Sequence, residues 1–176
     1  MSFINIEIKA RTGHAAAIRQ YLLSNGADCK GTDYQTDTYF IVPYGRLKLR
    51  QGSIENNLIY YERNDQPGPK QSNFQLTPVA DGEQMKVLLT KALGVKIVVA
   101  KKREIWFIDN VKFHIDELEG LGDFVEIEAS NKTADIPVHI LHEQCQRYMQ
   151  AFDIREEDLV YNSYSDMMIQ STGAST

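Results

Sequence analysis

Charged side chains of one sign recur at every second position in several parts of this sequence. Glu126 and Glu128 are two residues apart, and Arg46, Lys48 and Arg50 follow the same spacing. Side chains of a β-strand alternate between its two faces, so each set projects from one face of a strand. Neighbouring carboxylates are the ligands that divalent cations prefer, and neighbouring guanidinium and ammonium groups bind phosphate. The spacing therefore indicates metal binding and phosphate binding.

The segment over residues 111–129 brings the acidic side chains together. Lys112, His114 and Asp116 share one face of its first half. The turn at residues 119–123 contains two glycines, which permit a tight reversal into the second half. The resulting hairpin places Asp116 on the surface that carries Glu126 and Glu128. Three carboxylates on one face repel each other unless a cation lies among them, although a solvated sheet face gives the same alternation.

Length and composition limit the choices. A chain of 176 residues suits one domain with a sizeable core, and we predict a domain over residues 1–169 and a frayed tail over 170–176. The net charge of −5 argues against nucleic acid as the partner. Cys29 and Cys145 lack metal-type spacing, which suggests a reducing compartment. We see no leader and no apolar run of about 20 residues, so we predict a cytoplasmic protein without a membrane partner.

The hydrophobic pattern indicates about eight strands interrupted by three helices. Helices are predicted over 13–25, over 81–93 and for about four turns from Pro137. Strands are predicted over 4–9, 33–42, 46–50, 58–63, 73–76, 97–108 and in the two halves of 111–129. At least five strands carry charge on one face and apolar side chains on the other. An open sheet would expose the charged face, whereas closure into a barrel would turn it inward as a polar tunnel.

A tunnel of this kind needs counter-charges, because like charges in a confined space repel. A triphosphate supplies about four negative charges to a basic wall. The acids beside the phosphates would in turn need Mg²⁺ or Mn²⁺ between them. The tunnel-facing cations are Lys9, Arg46, Lys48, Arg50, Lys101, Arg103 and Lys112, and the acids are Glu7, Asp116, Glu126 and Glu128.

The sequence resembles the CYTH superfamily, the triphosphate tunnel metalloenzymes, over nearly its whole length. The founding members are class IV adenylyl cyclases and thiamine triphosphatases. The resemblance implies an α+β fold, a closed eight-stranded antiparallel β-barrel with helices packed outside. It is carried by Ile6–Lys9, Gly45–Arg50, Leu58–Arg63, Lys101–Arg103 and the hairpin.

The same resemblance implies roles for individual residues. Catalysis would involve Glu7, Lys9 and Asp116, and metal binding would involve Glu7, Asp116, Glu126 and Glu128. Two positions depart from the family pattern. Asn5 occupies the place of the first acid of the ExExK signature, and Lys112 stands where arginine is frequent. The implied substrate-binding residues are Lys9, Arg46, Lys48, Arg50, Arg63, Lys70, Lys101, Arg103 and Lys112.

The function implied by the resemblance is an adenylyl cyclase that converts ATP into cyclic AMP and pyrophosphate with Mg²⁺ or Mn²⁺. Two alternatives use the same tunnel: a triphosphatase acting on inorganic or thiamine triphosphate, and a non-catalytic nucleotide- or polyphosphate-binding protein. The cyclase branch is compatible with a homodimer. His114 shares the tunnel face and is a further candidate for contact with the substrate. No motif identifies the group attached to the triphosphate.

Overall fold

Eight antiparallel strands close into a barrel in the computed structural model, which describes residues 2–63 and 69–173. The order around the barrel is β1-β5-β4-β3-β2-β6-β7-β8. The strands are β1 Ser2–Arg11, β2 Asp28–Phe40, β3 Arg46–Gln51, β4 Asn57–Arg63, β5 Lys70–Pro78, β6 Val95–Ile108, β7 Val111–Leu118 and β8 Gly122–Ser130.

Four α-helices lie within the described part of the chain. They are α1 Ala15–Ser24, α2 Gly82–Leu93, α3 Val138–Ala151 and α4 Tyr164–Thr172, with a 3₁₀ turn at Glu156–Asp158. Asp81 caps α2 by accepting a hydrogen bond from the backbone N–H of Gln84 at 2.9 Å. None of these helices is long and apolar enough to cross a membrane.

The hydrophobic core lies outside the barrel, between the outward faces of the strands and the helices. Ile6 and Ile8 of β1 are buried there with Phe113 of β7, against Leu141 and the rest of one face of α3. A smaller cluster under α2 contains residues of β2 and β3. Because apolar side chains point outward to these helices, period-2 alternation turns the charged side chains inward.

The predicted fold class is confirmed, and several boundaries differ. β2 begins at Asp28, five residues before the prediction, and Lys70 is the buried first residue of β5 rather than part of a loop. The helix α4 was not predicted; it extends to Thr172 and so includes part of the tail expected to fray. Residues 64–68 and 174–176, and the side chain of Arg63, lie outside the described residues.

The segment that contains α4 crosses one end of the barrel. Tyr164 donates its hydroxyl hydrogen to Asp116 of β7 at 2.7 Å, and Lys9 of β1 lies over its ring at 3.9 Å. On the opposite side of the barrel, Asp166 accepts from Arg46 of β3 at 2.9 Å. Lys70 of β5 donates to the carbonyl oxygen of Tyr161. Contacts with strands on opposite sides show that this segment covers the end of the tunnel.

Candidate functional site: the interior of the barrel

A cavity of about 270 Å³ occupies the barrel interior. Inward-facing side chains of every strand line it, so the strands hold cationic, acidic and aromatic groups around one space. Lys48, Arg50, Lys101 and Arg103 all line this cavity, which confirms the position expected from their alternation. The other charged lining residues are Glu7, Lys9, Glu55, Asp109, Lys112, Glu126, Glu128 and Lys132.

Asp37 is the counter-ion at the centre of the basic wall. Its carboxylate accepts two hydrogen bonds from Arg50 at 2.9 and 2.8 Å and one from Lys101 at 2.8 Å. Lys48 lies 3.4 Å away. Burial opposes ionisation of Asp37, but the three cations outweigh it and hold the pKa of this carboxyl well below its usual range. The chain therefore supplies part of the negative charge that we expected only from a substrate.

Lys101 is the cation of the basic wall whose pKa is lowered. Burial lowers the pKa of Lys101 to about 7, and nearby Arg50 and Arg103 oppose its protonation although Asp37 favours it. Arg50 behaves differently because guanidinium ions keep their charge in proteins. A polyanion entering the cavity would favour the protonated form of Lys101.

Asp116 forms a buried pair with Arg103. Arg103 donates through Nε and Nη2 to the two carboxylate oxygens at 2.6 and 2.5 Å, and Tyr164 donates to one of them. Burial opposes the ionised form of Asp116, yet the Arg103 guanidinium lowers its pKa. Asp116 does not line the cavity. Its position is that of a counter-ion that orients Arg103, which differs from the metal-binding and catalytic roles that the resemblance implied.

The group best placed to hold a metal ion consists of His114, Glu126 and Glu128. Their ligand atoms lie within 4.8 Å of one another. His114 Nδ1 is 3.1 Å from one oxygen of Glu126 and 3.6 Å from one oxygen of Glu128. Glu7 pairs with Glu128 across β1 and β8 and lines the same cavity, but it is outside this group in the described chain.

The acids of this group have unequal electrostatic surroundings. Burial, together with the nearby carboxylates of Glu126 and Glu7, raises the pKa of Glu128 to about 7. Glu126 is also buried, but Arg103 and Lys9 hold its pKa well below the usual range. Burial lowers the pKa of His114 to about 3, so its imidazole is neutral. A neutral imidazole and two carboxylates are suitable donors for a divalent ion.

Two buried polar atoms, one in the group and one beside it, have no hydrogen-bond partner among the described residues. Asn5 is 4% exposed; its Nδ2 donates to Glu128 at 3.3 Å, and its Oδ1 has no partner. His114 Nε2 is also without one. Because an unpaired buried polar atom costs free energy, such atoms commonly mark the place of an ion or water. The donor set and the unpaired Asn5 oxygen together fit a divalent metal ion.

A loop between β3 and β4 supplies another acid to the cavity. Glu55 pairs with Arg50 at 3.1 Å and with Lys112. Asp33 holds this loop by accepting hydrogen bonds from the backbone N–H groups of Ser53, Ile54 and Glu55 at 2.6 to 3.0 Å. A Cβ on Gly52 would lie 2.6 Å from the Asp33 carboxylate, so the close approach requires glycine there.

Two of the predicted phosphate-binding residues lie outside the cavity. Arg46 and Lys70 contact the segment that covers the barrel end and do not line the cavity. Lys112 does line it, paired with Glu55. The role predicted for Arg63 falls on a side chain outside the described residues.

Sequence reasoning missed the acids of β2 and the loop. Asp33, Gln35, Asp37 and Tyr39 alternate, and all four are buried. The period-2 pattern was present in the sequence, but no neighbouring strand was identified with which these acids could pair. Glu55 had no comparable signal, because its position depends on the hydrogen bonds that Asp33 makes with the loop.

The end of the cavity away from Tyr164 has aromatic walls. Phe74 of β5 stacks between Phe3 of β1, at 5.8 Å between ring centroids, and Tyr61 of β4, at 5.2 Å. Phe107 of β6 lies across from them under Lys112, and Asn110 and Ser130 also line this end. Buried and half-buried aromatic rings beside polar groups suit a planar organic group.

Comparison with known proteins identifies the family. The CYTH domain family model matches residues 4–157, which is most of the chain. The chain belongs to the CYTH domain family. The barrel with its charged interior is thus a CYTH tunnel, and the resemblance seen in the sequence is confirmed.

Three known proteins are similar to this chain in sequence or in fold. A Methanocaldococcus jannaschii protein named "putative adenylate cyclase" is 31% identical over 91 residues, and the match spans 51% of each chain, about half the length of this curated relative. The PH1012 protein of Pyrococcus horikoshii OT3 is 25% identical, with a TM-score of 0.79 over 92% of this chain and 98% of that one. A Hippeastrum protein is described as a putative adenylyl cyclase that reveals a dominant triphosphatase activity. Its structure has a TM-score of 0.62 at 14% identity, over 99% of this chain and 97% of that one. This likeness concerns the fold alone.

Proposed function

We propose that this protein is a metal-dependent enzyme that holds a nucleoside triphosphate in its CYTH tunnel and converts ATP into cyclic AMP and pyrophosphate. The binding of a triphosphate in the tunnel is typical of the family. The contents of one cavity support ATP as the substrate and its cyclisation as the reaction. A basic wall, a group fit for a metal ion and an aromatic end all face the same 270 Å³ space.

The basic wall is suited to the phosphate chain. Lys48, Arg50 and Lys101 converge on Asp37 from two strands, and the ammonium groups have three donors each, so they keep donors for phosphate oxygens. Arg103 is held in place by Asp116 and also lies 3.3 Å from Glu126, at the border between the basic and acidic walls. Cations fixed in this way need little rearrangement when the substrate binds.

The acidic side of the tunnel would hold the metal ion. His114, Glu126 and Glu128 would coordinate it, with Asn5 and Glu7 beside them. When bound, the ion would offset repulsion between acids and phosphates and lower the pKa of the attacking hydroxyl group. Lys9, whose Nζ lies 3.6 Å from Glu126, would neutralise charge that develops on phosphate oxygens.

The aromatic end is the observation that favours a nucleotide over inorganic triphosphate. A tripolyphosphate ion has no planar group that could stack on the rings of Phe3, Phe74 and Tyr61, whereas a purine base can stack on them. With the phosphates against the basic wall, the attached nucleoside would extend to this end. The ribose hydroxyl would then lie between the aromatic end and the metal group.

The decisive experiment is to identify the products. Purified protein is incubated with ATP or with tripolyphosphate in the presence of Mn²⁺, and the products are separated chromatographically. We expect cyclic AMP and pyrophosphate from ATP. Release of orthophosphate from either compound would instead establish a triphosphatase, and binding without turnover would establish a non-catalytic binding protein.

Matched variants tie the activity to the tunnel. Lys101→Met removes a cation that faces the cavity, whereas Lys102→Met removes its neighbour, which points outward and pairs with exposed Glu117. We expect Lys101→Met to lower kcat/KM by at least tenfold, since each 1.4 kcal/mol of lost stabilisation is about tenfold. Lys102→Met should retain the parent activity. Equal effects of both variants would refute the assignment of the tunnel as the active site.

We propose that residues 1–169 act as one domain. We also propose that the protein is cytoplasmic, because the free thiols of Cys29 and Cys145 are typical of a reducing compartment. The homodimer stays a prediction, which the molar mass in solution would check.

A further inference from the structure

The metal group of this tunnel contains a nitrogen donor where an all-oxygen site would suit Mg²⁺. His114 is 1% exposed, and its Nδ1 faces the carboxylates of Glu126 and Glu128 at 3.1 and 3.6 Å. Ligands of one ion at about 2.1 Å lie at most about 4.2 Å apart, and both distances from this nitrogen are within that limit.

The carboxylates are arranged so that one oxygen of each faces His114. Glu126 directs its other oxygen to Lys9 and Arg103, at 3.6 and 3.3 Å. The second oxygen of Glu128 accepts from Asn5. Lys9 and Arg103 therefore hold Glu126, and the Asn5 amide holds Glu128, each through the oxygen that is turned away from the imidazole.

Asn5 reduces the negative charge of the same site. Its amide oxygen is buried without a hydrogen-bond partner, and its amide nitrogen donates to Glu128. An amide oxygen can coordinate a metal ion but contributes no net charge. The site therefore pairs two carboxylates with a neutral nitrogen and a neutral oxygen.

We propose that this donor set makes the tunnel selective for a transition-metal dication, Mn²⁺ or Co²⁺, over Mg²⁺. The proposal rests on the metal site of the proposed function. Mg²⁺ is a hard ion that prefers charged oxygen donors and gives up its water reluctantly. Imidazole binds Mn²⁺ and Co²⁺ better than Mg²⁺, so the histidine donor sets the preference, whereas the Asn5 amide lowers the affinity for each of these ions by similar factors.

The test measures metal binding directly, without turnover. Isothermal titration calorimetry of the purified protein with MnCl₂ and with MgCl₂ gives the ratio of the two affinities. In His114→Gln we expect this ratio to fall by about tenfold, because only Mn²⁺ loses a favourable donor. His139→Gln makes the same change at an exposed position of α3 and should keep the parent ratio.

Asn5→Asp provides a variant with a different expected outcome. It restores a negative charge at nearly constant shape, so the affinities of both metals should rise by similar factors and their ratio should change less than about twofold. A change in ratio as large as that in His114→Gln would show that charge, rather than the nitrogen donor, sets the preference and would overturn the proposal.

Pulsed electron paramagnetic resonance of the parent protein keeps the proposal testable if His114→Gln fails to fold. Bound Mn²⁺ in a buffer without nitrogen donors should show coupling to a ¹⁴N nucleus. Bound Mn²⁺ without this coupling, or an unchanged affinity ratio in His114→Gln, would overturn the proposal while leaving the proposed function intact. Failure of the parent protein to bind either metal, with or without tripolyphosphate, would overturn both.

Discussion

Asp37 is the single residue on which the basic wall depends most. Replacement by Asn leaves Arg50, Lys48 and Lys101 close together without their shared carboxylate. We expect Asp37→Asn to lower the free energy of unfolding by about 3 kcal/mol, since removing one partner of a buried ion pair leaves uncompensated charge. Urea denaturation without ligand measures the loss.

The control for this prediction lies on the same strand. Asp28 pairs with Lys30 at the exposed start of β2, and surface pairs contribute little, so Asp28→Asn should change stability by less than about 0.5 kcal/mol. Equal stability of the two variants would contradict the role given to Asp37.

Lys101 should couple phosphate binding to protons. Burial lowers its pKa to about 7 in the empty tunnel, so at pH 8 most molecules hold a neutral amine. A bound polyanion favours the ammonium form, so binding takes up close to one proton, and affinity falls as pH rises from 7 to 9. Calorimetric titration with tripolyphosphate at pH 8, in buffers of different ionisation enthalpy, counts the protons.

Lys101→Arg is the matched variant for this measurement. Arginine is charged at every pH of the experiment, so binding to this variant should take up about one proton fewer while retaining most of the affinity. The proton uptake that belongs to the ligand itself is common to both proteins. Identical proton counts would show that Lys101 is already charged before binding.

At the scale of elements, the β3–β4 loop depends on β2. In Asp33→Ala the N–H groups of residues 53–55 lose their acceptor, and Glu55 loses its fixed position beside Arg50. We expect faster amide hydrogen exchange at these three residues and a loss of stability of about 2–3 kcal/mol, because hydrogen bonds to charged groups are strong. Ser53→Ala removes only the hydroxyl contact and should show a smaller effect on both measures.

The elements also show what the sequence could predict. Strand alternation correctly predicted that Lys48, Lys101 and Glu126 face inward. The apolar side chains of the strands pack outward against the helices, so the charged side chains that alternate with them point into the barrel. The pairing of Asp116 with Arg103 depends on the register between β6 and β7, which alternation within one strand does not define. This register places Asp116 against Arg103, and His114 lies 3.1 Å from Glu126 and 3.6 Å from Glu128.

Sequence patterns did not predict the short elements, α4 and the β3–β4 loop. α4 has nine residues and buries only Tyr164 and Ser165, so it presents no long apolar stripe. Its location is defined by single contacts with strands that are distant in the sequence, such as Arg46 with Asp166. The β3–β4 loop is similar, since its conformation depends on one carboxylate of another strand.

For the whole molecule, the tunnel should bind metal and polyanion cooperatively. Each ligand reduces the repulsion that the other would meet among the charged walls. Tripolyphosphate and Mn²⁺ together should therefore raise the melting temperature by more than the sum of their separate effects, since ligands stabilise the state they bind. A thermal melt with each ligand and with both measures this, with NaCl at equal ionic strength as the control. Strictly additive shifts would contradict the coupling.

The covered end of the barrel has a consequence for the order of kinetic events. Under the proposed function, Tyr164 and Asp166 lie across one end, and among the described residues the aromatic end would be the route for substrate and products. In the proposed reaction, a nucleotide would enter with its phosphates first, and the pyrophosphate left deepest in the tunnel would depart after the cyclic nucleotide. Pyrophosphate would then compete directly with ATP for the free enzyme, whereas cyclic AMP would inhibit noncompetitively, and slow pyrophosphate release would limit the rate of turnover.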